Sequence, residues 1–302
     1  MNGAHPRLDP SLVLLLSLPP LLWAGNAVVG RALIDSVPPL LLNTLRWLLA
    51  LALLWPFTAD LWAGRAQWRL HWRWWLIGGV LGMGSYNSLQ YMALHSSSAL
   101  NVTLIAASLP LAMLLIGRLF FAATPRLPQL FGALLALAGV LVVVSQGQWQ
   151  RLLALQAVPG DLLMLLATLC WAGYSWLLTR RPAALADWPW QNLLATQMLF
   201  GLAATLPLTV AEQCWTAIPL RIDTRLLASL AYIAVGPSLL AYRCWAVGVA
   251  RGGPQLAGVF INLTPVFAAL LSLALLGETP QGFHAVAFLL IAAGIGVAAR
   301  AS

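Results

Sequence analysis

Apolar residues run along this chain in long blocks that contain almost no charge. A helix needs ~20 mostly apolar residues to cross a bilayer. Ten blocks reach that length: 11–33, 37–58, 74–94, 98–121, 126–146, 158–180, 189–210, 225–248, 253–275 and 280–300. Short polar turns separate them, and Arg and Trp gather there, as between Arg65 and Trp75. Such amphipathic side chains anchor helices at a membrane interface. The pattern predicts an all-α polytopic membrane protein of ten transmembrane helices.

The pattern also repeats. Residues 95–125 return as residues 250–280, at an offset of 155, matching Pro110 with Pro265, Thr124 with Thr279, Pro125 with Pro280 and, further on, Gly139 with Gly294. Upstream, Trp23-Ala24-Gly25 matches Trp171-Ala172-Gly173, while Arg46 and Pro56 match Gln197 and Pro207. Gly84, followed by Ser85, sits near the place of Gly236 and Ser238. Shared composition alone would not hold one offset through two prolines, a glycine and a Thr-Pro step. The chain therefore divides into residues 1–150 and 151–302, with five spans in each half. Five is odd, so the halves must cross the membrane in opposite senses, as two inverted five-helix repeats.

Composition agrees with a membrane setting. Hydrophobic residues make up 61% and charged residues 8%, against roughly 25% charged in soluble domains. Mean hydropathy is +0.85. The net charge of +8 comes from sixteen Arg, no Lys and eight acids, and it reads as topology rather than as a nucleic-acid surface. With a cytoplasmic N-terminus, ten arginines fall inside and four outside, and two (Arg46 and Arg243) lie within spans. This obeys the positive-inside rule and puts both termini in the cytoplasm of a bacterial inner membrane. The first apolar run lacks a small-residue cleavage site and reads as a retained helix rather than a signal peptide. Cys170, Cys214 and Cys244 are isolated and read as apolar filler. His5, His71, His95 and His284 stand far apart, so neither a metal site, a cofactor site nor an intramembrane enzyme is expected.

The run Thr264-Pro265-Val266-Phe267-Ala268-Ala269-Leu270-Leu271, continuing through Leu276-Gly277-Glu278-Thr279-Pro280, resembles the end-of-span-9 signature of the drug/metabolite transporter superfamily. More narrowly, it is similar to the ten-helix EamA-type exporters, whose second span resembles Leu45-Arg46-Trp47-Leu48-Leu49-Ala50. One departure is clear: where the second half has Glu278, the first has Ala123. The resemblance implies export of amino acids or small metabolites, with aromatic amino-acid exporters the nearest subgroup.

Polar residues in mid-span are costly against lipid and face a cavity or another helix. Span 3 carries Tyr86, Asn87, Gln90 and Tyr91 on one helical face, a spacing that brings side chains together. Span 9 offers Asn262, span 4 Asn101 and span 8 Tyr242. Trp23 and Asn26 in span 1 lie at the depth of Trp171 and Tyr174 in span 6. Arg46 lies near mid-membrane, where an unpaired cation costs at least ~2.5 kcal/mol. It draws a substrate carboxylate, caps helix carbonyls or locks the two repeats together. Gly84, Pro110, Pro237 and Pro265 interrupt spans at matching places and are the expected hinges. No acid lies in mid-membrane, so facilitated transport is expected, with a proton-coupled drug or metabolite efflux carrier as the alternative. The expected partners are a small-molecule substrate (an amino acid or similar metabolite) and the lipid bilayer, for a monomer or weak dimer.

Overall fold

The computed structural model describes residues 9–33, 35–58, 61–97, 99–276 and 281–300. The repeat positions Gly277, Glu278, Thr279 and Pro280, and the charges Arg7 and Asp60, lie outside these residues. Among the described residues every regular element is helical. The longer helices are α1 (Pro10–Ala32), α2 (Pro39–Leu54), the short α3 (Arg65–Leu70) and α4 (Trp72–Gly78), then α5 (Tyr86–Ser96), α6 (Ala99–Ala106), α7 (Leu109–Phe120) and α8 (Leu127–Ser145). After the short α9 (Trp149–Leu153) come α10 (Pro159–Leu178), α11 (Trp190–Trp215), α12 (Thr224–Ile233), α13 (Ala241–Ile261), α14 (Thr264–Leu276) and α15 (Gly282–Ala299).

Seven of the described helical stretches are long and apolar enough to cross a membrane, and the chain is a multi-pass membrane protein. The expected span 3 is absent from that set, being rich in polar residues, while span 4 is broken and span 9 is divided between α13 and α14. A π-helical stretch, π1 (Gly79–Ser85), joins α4 to α5, and a second, π2 (Ala234–Leu240), joins α12 to α13. These two stretches lie 155 residues apart. So do the breaks at Ala107-Ser108, between α6 and α7, and at Asn262-Leu263, between α13 and α14. Within span 3, this offset pairs Gly82 with Pro237, where the sequence pattern had set Gly84 beside Gly236.

Local chemistry explains the breaks. Pro110 and Pro265 occupy the first turn of α7 and α14, where a missing N–H leaves no gap in the new helix. Pro265 cannot donate to the carbonyl of Ile261, and the Thr264 hydroxyl does so instead at 2.7 Å. In π2 the absent N–H of Pro237 frees the carbonyl of Ile233, which accepts from the Ser238 hydroxyl at 2.7 Å. Gly253 turns the chain inside α13 with φ 78°, directly before Pro254. That left-handed backbone suits glycine, and a residue preceding proline is driven out of helical geometry.

Within a membrane, small residues let helices approach and gain packing contacts. α8 and α15 lie side by side, with Gly132 and Gly294 so close that a Cβ on either would meet the other's carbonyl oxygen at 2.6 Å. Gly79 of π1 crosses Gly201 of α11 as closely, with 2.5 Å left between a Cβ and the Gly201 nitrogen. Polar ties add to this packing. Glu212 at the end of α11 accepts from the N–H groups of Leu40 and Leu41, at 3.0 and 2.9 Å, and so caps α2, which begins Pro38-Pro39 without a side-chain cap of its own. Thr44 and Thr209 meet at 2.7 Å between the same two helices. At the other end of the bundle Asp9 caps α1 through the Leu12 N–H and pairs with Arg251 at 2.7 Å. The Ser11 hydroxyl, the Leu12 N–H and the Arg251 guanidinium together hold its carboxyl down at about 2.

Candidate functional site

A cavity of about 720 Å³ lies between the two halves of the chain. Its wall draws on α1, α5, α6, the end of α8, α10, α13 and the start of α14. It runs from an aromatic floor at Trp23, Trp171 and Tyr242 toward the end of the bundle that carries Ala32, Leu94, Gln146 and His284. Trp171 is the hub of the floor. It meets Trp23 edge-on at 5.1 Å, Tyr86 at 5.2 Å and Tyr242 at 5.3 Å. Edge-to-face aromatic contacts of this kind add to the area they bury. Behind the floor, Tyr174, Trp245 and Trp47 continue the cluster.

Two side chains on the wall are buried without a partner. Asn262, fully buried, leaves both amide atoms unbonded, and Trp171 leaves its indole N–H unbonded. Groups of this kind cost about 1–3 kcal/mol each when nothing meets them. Both residues line the cavity, while these polar atoms themselves lie covered beneath its surface. The break at Asn262-Leu263 is what brings the Asn262 side chain to the wall. The floor's other indole is satisfied: Trp23 donates to the carbonyl of Pro237 at 3.0 Å. The matching carbonyl in π1, that of Gly82, accepts from the Tyr242 hydroxyl at 2.6 Å.

Arg46 is fully buried just behind the wall. Its Nε donates to the Ser238 hydroxyl and its Nη1 to the Asn87 carbonyl oxygen at 2.6 Å, with Asn26 Oδ1 at 3.4 Å and the Tyr91 hydroxyl at 3.5 Å. Tyr91 in turn donates to Asn26 Oδ1 at 3.0 Å. Nη2 has no partner, and the guanidinium sits 5.0 Å from the Trp47 ring centre. Among the described residues no carboxylate lies within ion-pair distance of it; the ion pair present, Asp9–Arg251, is elsewhere.

The structure thus brings together most of the residues read from sequence. Trp23, Asn26, Tyr86, Asn87, Gln90, Trp171, Tyr242, Asn262 and Pro265 line the cavity. Arg46 and Tyr91 stand one layer back, bonded to its lining amides. Tyr174 donates to Gln197 at 3.2 Å behind the floor. Asn101 lies apart: its amide reaches Asp161 at 3.0 Å and the Gln156 carbonyl at 3.1 Å, at the start of α10. Of the expected hinges, Gly84 and Pro237 fall inside π1 and π2, while Pro110 and Pro265 each follow a break. Residues the sequence did not single out also matter here. Phe283 and His284 reach the cavity from α15, and the Trp47 indole donates to the Met83 carbonyl at 2.8 Å. Asn43 ties α2 to π1 and α5 through Met83 and Ser88. Asn43 is an amide inside an apolar span, a signal the sequence carries; Phe283 and His284 begin a helix, at the end of an expected span.

Comparison with known proteins gives the family model described as EamA-like transporter family, which matches residues 10–145 and again residues 158–300. An uncharacterised transporter of Archaeoglobus fulgidus is 27% identical over 93% of this chain and 95% of its own length. An aromatic amino acid exporter of Ancylobacter novellus is 27% identical over 92% and 93%. A probable amino-acid metabolite efflux pump of Salmonella typhimurium is 27% identical over 96% and 94%. One crystal structure matches with a TM-score of 0.73 and 25% identity, over 95% of this chain and 96% of that one.

Proposed function

The chain belongs to the EamA-like transporter family, and from that membership we propose that it exports small metabolites, most of all aromatic or other neutral amino acids, across a bacterial inner membrane. The observation that carries this reading is the cavity itself. It pairs a floor of edge-on and tilted indole and phenol rings with the lining amides Asn26, Asn87, Gln90 and Asn262. Rings suit an apolar or aromatic side chain, and amides suit an amino acid's ammonium and carboxylate. The relatives named for aromatic amino acids and amino-acid metabolites support the same class.

The architecture we assign is ten transmembrane helices in two inverted five-helix repeats, residues 1–150 and 151–302. Support comes from the matched π segments, the matched breaks and the two separate matches of one family model. With both termini cytoplasmic, as the arginine distribution favours, the cavity faces outward and the aromatic floor closes the inner side. Transport then alternates by rocking one repeat against the other, with π1, π2 and the breaks before Pro110 and Pro265 as hinges. The carrier is facilitative: among the described residues that line the cavity there is no carboxylate to bind and release a proton, and His284 stands at the mouth, its Nδ1 taking the Gln281 N–H.

The test is counterflow into liposomes holding purified protein, with Trp, Phe, Tyr, Thr and an organic drug cation as competitors. Competition by the amino acids is expected, strongest for those bearing rings. Competition by the cation alone overturns the amino-acid assignment. Uphill uptake driven by an imposed pH gradient overturns the facilitative one.

A further inference from the structure

The polar side of the cavity is organised from behind. A guanidinium only donates hydrogen bonds, so the side-chain oxygens of Asn26 and Asn87 must turn toward Arg46. Asn26 Oδ1 is held twice, by Arg46 and by Tyr91. The Nδ2 groups, which can only donate, then turn away from Arg46, that of Asn87 toward the Tyr242 hydroxyl at the cavity floor, on two residues that line the cavity. Ser238 fixes Arg46 in the same manner. Its hydroxyl proton is committed to the Ile233 carbonyl freed by Pro237, so its oxygen is left to accept from Nε. The charge itself has no counter-ion: among the described residues no carboxylate pairs with Arg46, and its Nη2 is unbonded. A buried cation in that condition is costly, and its field extends into the cavity next to it.

We propose that Arg46 is a positioning residue for a carboxylate: it turns the Asn26 and Asn87 amide donors into the cavity, and the substrate's carboxylate settles against them as the counter-ion that the protein does not supply. Arg46 itself does not touch the substrate. The design keeps a positive field at the site while presenting neutral donors, which bind a carboxylate by charge-assisted bonds and release it more readily than a direct salt bridge would. This rests on the amino-acid reading above and adds which end of the substrate is read, and by which groups.

Asn87→Asp is the decisive variant. It keeps the shape, gives Arg46 an internal counter-ion and removes one donor. Transport is measured in liposomes for two pairs that differ by a carboxylate, L-tryptophan with tryptamine and L-leucine with isoamylamine. The expected result is a KM for the amino acids raised by ~10-fold or more, kcat within about twofold, little change for the amines, and an undiminished melting temperature. Arg46→Lys keeps the charge but loses the planar fork, and should shift the same KM in the same direction. An unchanged KM for the amino acids in Asn87→Asp overturns the proposal. So does an equal loss for acids and amines with the fold intact, since that is what a merely structural residue gives. If the leucine pair responds as expected while the tryptophan pair is ignored by the wild type, the aromatic preference falls and the carboxylate role stands. If the wild type carries none of the four, both fall.

Discussion

Ser238 has one hydroxyl and two obligations. Its proton goes to the Ile233 carbonyl and its oxygen takes the Arg46 Nε–H. Replacing it by Ala leaves the buried Arg46 Nε–H unmet, at about 1–3 kcal/mol, and takes the hydroxyl from an Ile233 carbonyl that keeps its π-helical partner. Ser238→Ala is therefore expected to lower stability by several times what a surface Ser→Ala does, read as a melting-temperature drop of the detergent-purified protein. A melting temperature equal to wild type would show that water or a rearranged Arg46 replaces the hydroxyl. At this scale the sequence was informative about identity and poor about direction. Arg46, Asn26 and Asn87 stood out as polar groups deep in apolar spans. Periodicity put them at compatible depths. It could not say that the amides lie between the cation and the cavity, because that order depends on how far α1 and α5 stand from α2. Asn101 failed for a related reason: the cavity takes its neighbours Val102, Thr103 and Ala106 on another face of α6, and α6 begins so near α10 that Asp161 captures the Asn101 amide.

Helices fared differently. Ten apolar blocks were legible from length alone, and so were the places where Pro110, Pro237 and Pro265 would disturb them. What escaped was the manner of disturbance. A proline inside a span reads as a kink, whereas here two of the disturbed spans part into separate helices and two carry π segments, one of them, π1, without a proline. Glycines were legible only as small residues, and their worth depends on what faces them. Gly132 faces the backbone of α15, and a methyl group there would sit 2.6 Å from the Gly294 carbonyl oxygen. Gly296, two residues further on and so on the other side of α15, has nothing within 4 Å. Gly132→Ala is expected to cost about 1–3 kcal/mol by overpacking. Gly296→Ala should be neutral or gain up to about 1 kcal/mol from helix propensity. Parallel melting curves of the two variants check the contrast. Equal curves would mean that α8 and α15 slide apart freely and that their seam does not hold the bundle.

For the whole molecule the cavity and the charge distribution make separate statements, and together they specify which face is open. The cavity runs toward the ends of α1, α5 and α8 and the start of α15. Arg180 and Arg181, beyond the end of α10, lie at the opposite end of the bundle, behind the aromatic floor. In the proposed orientation that end is cytoplasmic, so Gln146 and Phe283 are expected outside. A cysteine-free background, with Cys170, Cys214 and Cys244 replaced, allows a direct check. Gln146→Cys or Phe283→Cys should react with a membrane-impermeant maleimide added to intact cells, and an amino-acid substrate should slow the reaction as the carrier spends less time open to the outside. Arg181→Cys should react only after the membrane is made permeable. Since alternating access shifts a population between two states, an added substrate should alter the rate at Phe283 and leave Arg181→Cys unreactive from outside. Labelling of Phe283→Cys only in permeabilised cells would invert the orientation. Labelling of both positions from outside, unaffected by substrate, would point to an open pore instead of a carrier.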